Sequence, residues 1–176
     1  MRNGRAAIST TTERVAGYRR ALREAGIELD VRLVVSGEST SEGGVIAANA
    51  VLDLDEPPSA IFSGNNLMSI GALQAIANRG MVVPDDVALV GFDDFPFPWS
   101  DAFRPHLTTV AQPTYELGRR AAELLVHRLK KSPRSISAER VVLDGKLVVR
   151  ESSGALLVRD QQDAVKLPRG RRRKLA

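Results

Sequence analysis

In the first half of the chain, three short apolar runs alternate with stretches of helical periodicity, and no other feature constrains the fold as strongly. VRLVV (Val31 to Val35), SAIFS (Ser59 to Ser63) and VALVG (Val87 to Gly91) are continuous and rich in β-branched residues, the pattern of strands buried on both faces. Between them lie helical patterns of ten or more residues. Strands joined by such connections run parallel through right-handed crossovers. The sequence therefore predicts an α/β fold: a three-layer, doubly wound, mainly parallel sheet with helices on both faces.

The helices announce their own ends. Thr10 and Glu13 have capping-box spacing, Val15, Tyr18, Leu22 and Ala25 follow at helical intervals, and Gly26 supplies a left-handed stop. Ser39 and Glu42 make a second capping box, ahead of a stripe of Val45, Ala48 and Leu52. Gly64-Asn65-Asn66 turns into a helix with Ile70, Leu73 and either Ile76 or Ala77 inward, stopped by Gly80. After Pro113 a long helix is expected from about Thr114 to Lys131, with Leu117, Ala121, Leu124, Leu125 and Leu129 on one side. Arg140 to Leu143 and Lys146 to Arg150 flank Asp144-Gly145, which predicts a tight hairpin. Beyond Gly154 no core element is expected.

A chain of 176 residues suffices for one such domain. It has no cysteine, which excludes disulfides, thiolate catalysis and cysteine-ligated zinc, and only two histidines, His106 and His127. No run reaches the roughly 18 apolar residues of a membrane span, and the first ten residues lack a secretory apolar region. A cytoplasmic protein without membrane contact is the expectation. From Ala164 onward there are six cations and no acids, so the net charge of +4 becomes −2 without them. Residues 155–176 read as a basic, disordered tail, with weak contact to nucleic acid or acidic lipid as the alternative.

The strand VALVGF ends on Asp93 and Asp94. The carboxyl ends of parallel strands open onto the ligand crevice of such a sheet, so Asp93 stands where a carboxylate accepts hydrogen bonds from a small polar ligand. This favours a sensor over a catalyst. The chain has no GxGxxG, GxxxxGK[ST] or GxSxG motif and no nucleophile–base pair, so neither an enzyme nor a cofactor is expected. A metal or phosphoacceptor reading of the two aspartates lacks a third acid and a suitably placed lysine or threonine.

Five segments in order carry a resemblance: TTTERVAGYRRAL; EPPSAIFSGNN with SIGALQAI; GMVVPDDVALVGFDD; RPHLTTVAQP with ELGRRAAELL; and LVVRESS. From Gly4 to about Gly154 the chain resembles the effector-sensing part of the LacI/GalR transcriptional regulators, which is similar to periplasmic sugar-binding proteins of type I. The resemblance implies a partial sensor over residues 1–154, with the second of two lobes nearly complete and the first mostly missing. It also implies a sugar-like small-molecule effector, a homodimer, and operator DNA reached only through a helix-turn-helix absent from this chain. The chain alone is then expected to bind ligand weakly, and the leucines of the long helix to form an exposed face that would pack on the missing lobe. An exported solute-binding protein is the alternative.

The resemblance also assigns residues. Arg14, Asn65, Asp93 and Gln112 fall at positions where the family contacts its ligand, and Asp94 serves the turn. Arg14 as a surface arginine paired with an acid, and Asn65 as an Asx-type cap of the following helix, are the structural alternatives. Asn66 departs from the usual aspartate, and Ser39 from the usual aromatic residue. Phe95, Phe97 and Trp99 read as loop anchors or dimer contacts.

Overall fold

The structure, a computed structural model, describes residues 1, 9–95, 104–130 and 139–155. Its elements in chain order are α1 (Ser9–Glu24), α2 (Ser41–Leu52), β1 (Ala60–Ser63), α3 (Asn66–Asn78), β2 (Ala88–Phe92), β3 (Thr108–Ala111), α4 (Thr114–Lys130) and β4 (Lys146–Val148). The four strands form one sheet in the order β1-β2-β3-β4. β1 pairs parallel with β2, and β2 with β3, while β4 closes the far edge antiparallel to β3. The sheet is thus mixed but mainly parallel, as the strand–helix alternation predicts.

Alternation along the strands divides the sheet into two faces. Ile61, Leu89 and Gly91 point to α3 and are buried; Phe62, Val90 and Phe92 point the other way and are half-buried. Leu89 and Ile61 join Ala48, Val51, Ala72, Ala75 and Ile76 in the hydrophobic core. α2 and α3 approach so closely that glycine is required where they cross. A Cβ on Gly44 would lie 2.6 Å from the Met68 carbonyl oxygen, and one on Gly71 would overlap the Ser41 carbonyl oxygen. α1 covers the opposite face, with Arg14 and Tyr18 near Phe62, Phe92 and Val110.

Helix ends follow the sequence closely. Gly26 and Gly80 both adopt φ 70°, and each closes a Schellman motif: Ile27 N–H donates to Leu22 O, and Met81 N–H to Ile76 O. The starts are shifted by a residue. α1 is already helical at Ser9, so Thr10 lies inside the first turn rather than capping it. Thr40, not Ser39, caps α2 by accepting from Gly43 N–H, because Ser39 takes a left-handed conformation (φ 63°). In α3, Ile76 is buried and Ala77 exposed, while Met68, Ala72 and Ala75 supply the rest of the buried face.

Two strand predictions fail. Val31–Val35 is not a buried strand: Val31–Leu33 forms a short 3-10 turn, and Val31 is 69% exposed. Asp30 explains the coil, since its carboxylate accepts from both the backbone and the guanidinium of Arg32 and tightens the chain locally. The expected hairpin about Asp144-Gly145 is also absent. Lys146–Val148 is a strand, but its ladder runs to β3 (Val110↔Leu147), and residues 140–143 form none. Gly145 sits against Val110, so the chain enters the sheet edge there instead of folding back on itself.

Past β4 a short turn, Glu151–Ser153, is more integral than its sequence suggests. Ser152 is fully buried; its hydroxyl donates to Leu89 O (2.6 Å) and accepts from Thr108 N–H (2.8 Å). α4 begins at Thr114 as expected and is described to Lys130, with Lys131 outside the described residues, and none of its described residues is buried. The basic tail, the region of Gly4, and Phe97 and Trp99 lie outside the described residues. Among the described residues no helix is long and apolar enough to cross a membrane.

Candidate functional site

The site forms where β2 and β3 end. β2 stops at Phe92 because Asp93 turns left-handed (φ 70°), a conformation that aspartate tolerates better than most side chains. The turn is pinned to the neighbouring strand by Asp93 N–H donating to Val110 O (3.0 Å). Gln112, one residue past β3, donates through Nε2 to the Asp93 carboxylate. Two of the four expected ligand residues are therefore in direct contact.

Arg14 reaches the same rim from α1. Its Nη1 donates to Gly64 O (3.0 Å), and its guanidinium carbon lies 3.9 Å above the Phe92 ring centroid. The ring holds the guanidinium by cation–π attraction. Burial lowers the Arg14 pKa, and the nearby Asp93 charge opposes that shift. Between α1 and the sheet, Arg14 shares an apolar hollow with Tyr18, Phe62, Phe92 and Val110. Three elements thus bring a forked cation, a carboxylate and an amide to one rim.

Asn65 sits beside this group with its amide committed to the scaffold. Its Oδ1 accepts from Met68 N–H (2.9 Å) and caps α3, and its Nδ2 donates to Ser39 O (3.2 Å). The geometry is that of the Asx-type cap. One amide hydrogen has no role in these two bonds and is what Asn65 has to offer a ligand. Asn66 caps locally in turn, accepting from Leu67 N–H (2.8 Å).

Asp94 does more than serve the turn. It accepts from Phe95 N–H (3.1 Å) and forms a two-pronged pair with Arg150, at 2.9 and 2.7 Å. Arg150 also donates to Leu107 O (2.6 Å), so one guanidinium ties the β2 turn to the segment entering β3. Burial alone would raise the Asp94 pKa; hydrogen bonds from Arg150 and Thr109, with the Arg150 charge, outweigh it and hold the carboxyl below its ordinary value. Arg150 was missed as a site residue, although it stands in the segment LVVRESS. Phe95 packs partly buried against the core, as an anchor does. Among the described residues no group of three or more histidine, aspartate or glutamate side chains could hold a metal ion.

Comparison with known proteins places the chain. Residues 2–153 match the family model of the periplasmic binding protein-like domain. The chain is 36% identical over 143 residues to the HTH-type transcriptional repressor CytR of Escherichia coli, covering 81% of this chain and 41% of the repressor. It is 41% identical over 140 residues to the HTH-type transcriptional regulator CelR of Thermobifida fusca, covering 80% of this chain and 40% of that protein. A solved structure of a CelR–cellobiose complex superposes with a TM-score of 0.77 at 39% identity, over 85% of this chain and 45% of that one. The chain spans about two fifths of the length of these curated relatives.

Proposed function

The chain belongs to the periplasmic binding protein-like family, on the side of the LacI-type regulators, and from that premise we propose that its rim of Arg14, Asp93 and Gln112 receives a small polyhydroxylated effector. The observation that carries this reading is the contact between Gln112 and Asp93, whose charge also acts on the Arg14 guanidinium stacked on Phe92. A carboxylate accepts from sugar or ribose hydroxyls, an amide both donates and accepts, and a guanidinium fork donates to ring or hydroxyl oxygens. Asn65 contributes its remaining amide hydrogen at the edge.

In a regulator, such a ligand acts by binding one arrangement of the protein more tightly than another and so shifting the population toward it. Operator binding, a homodimeric state and a cytoplasmic location belong to this reading as properties of a whole regulator. Likeness to the transcriptional repressor CytR and the transcriptional regulator CelR supports it over an exported solute-binding protein or an enzyme.

The test is a titration of the isotopically labelled chain with cellobiose, a nucleoside, a polyol and a panel of simple sugars, followed by nuclear magnetic resonance. One ligand class should shift the Arg14 Nε–Hε and Gln112 side-chain amide signals saturably at millimolar concentration, and Asp93→Asn should abolish the response. A panel that leaves both signals unmoved would overturn the assignment.

A further inference from the structure

Arg14 is held at two points. Its Nη1 donates to Gly64 O (3.0 Å), and its guanidinium carbon stands 3.9 Å from the Phe92 ring centroid. The carbonyl fixes one corner of the planar group, and the ring fixes its face. Phe92 and Asp93 are neighbours, and successive side chains of a strand point to opposite faces. β2 ends at Phe92, and Asp93 takes φ 70°, which breaks that alternation. Both side chains consequently act on Arg14, the ring by contact and the carboxylate by its charge.

We propose that Phe92 is a positioning residue of the effector site: without touching the ligand, its ring sets the affinity of the rim by fixing the plane in which the Arg14 guanidinium meets that ligand. The proposal rests on the effector reading of Arg14, Asp93 and Gln112.

Three considerations favour this role. An arginine side chain turns about several bonds, and ordering it at the moment of binding costs free energy; here the order is present beforehand. Phe92 is half-buried and stands outside the hydrophobic core cluster around Leu89, so its ring serves the rim more than the core. The interaction also requires this pair of residue types. An aliphatic side chain at 92 has no ring face to attract a cation, and a lysine at 14 has no plane for a ring to fix.

The test uses the full 176-residue chain labelled with nitrogen-15, with cellobiose, a nucleoside, a polyol and simple sugars as probes. In the free chain the Arg14 Nε–Hε proton should resonate upfield of its random-coil position, displaced by the Phe92 ring current. Phe92→Leu should return it there, and Phe92→Tyr should leave it displaced. Affinity for the responding probe should fall about fivefold in Phe92→Leu and stay within about twofold in Phe92→Tyr. In an Arg14→Lys chain, Phe92→Leu should cost no further affinity, because the ring acts through the arginine. Phe92→Met serves in place of Phe92→Leu if leucine unfolds the chain, with the same outcomes expected. Undiminished affinity of Phe92→Leu for a responding probe, or a loss that persists in the Arg14→Lys chain, would overturn the role of Phe92 alone. A parent chain that answers to no probe would overturn the effector reading and this role with it.

Discussion

α3 and α4 are helices of 13 and 17 residues, and each carries an apolar stripe, yet they meet opposite fates. α3 buries Met68, Ser69, Gly71, Ala72, Ala75 and Ile76 between α2 and the sheet. α4 buries nothing; Leu125 is 59% and Leu129 77% exposed. Periodicity reports that a helix has an apolar side, whereas small residues at a crossing report that a neighbour occupies it. α3 is built around glycine, serine and alanine because another backbone lies against it. The α4 stripe consists of leucines whose partner is not among the described residues.

The largest test of this contrast is Gly71→Val. Its side chain would drive α3 away from the Ser41 carbonyl, at an expected cost of about 3 kcal/mol or more in urea unfolding. A Gly71→Val chain with an unchanged denaturation midpoint would mean that the helices are not held by close approach. Next, Leu89→Ala removes a fully buried side chain from the sheet face under α3 and should cost about 3 kcal/mol. The identical chemical change at Leu129 should cost less than about 0.5 kcal/mol. If the two leucines proved equivalent, the exposure of α4 in the chain would be refuted.

Between these extremes stands Arg150→Met, which strips the partner from Asp94. Both side chains are about a quarter exposed, so a loss of about 1–2 kcal/mol is expected. Its pH dependence has a definite sign. The folded-state pKa of Asp94 lies below the unfolded value, so its stabilisation is complete above that value and drains away as pH falls. The gap between the parent chain and Arg150→Met should therefore narrow as acid unfolding is followed below pH 3.8. A gap that stayed constant would show that Arg150 acts through packing alone.

What the sequence disclosed follows the same division between local and distant causes. β1, β2, the glycine stops and the span of α4 depend on residues within a few positions of one another, and all were legible. Pairing is not local: β4 finds β3 rather than residues 140–143, and Val31–Val35 lacks a ladder despite its composition. At the site, Asp93 and Gln112 are 19 residues apart and were expected together. Arg150 and Asp94, 56 apart, were not, because nothing in a run of residues marks which distant arginine a carboxylate will take. Asn65 shows a third case, in which one asparagine satisfies the spacing of a helix cap and of a ligand contact, and the geometry assigns its oxygen to the cap.

The buried Ser152 hydroxyl has a consequence for the order of events during synthesis. Its acceptor, Leu89 O, lies 63 residues earlier in the chain, so β2 emerges from the ribosome long before the serine that completes its hydrogen bonding. β2 must wait, with one carbonyl and the Thr108 N–H of its neighbour provisionally hydrated, until residue 152 has been translated. Shortened versions that stop before residue 152 would keep the four described strands yet leave that wait without an end.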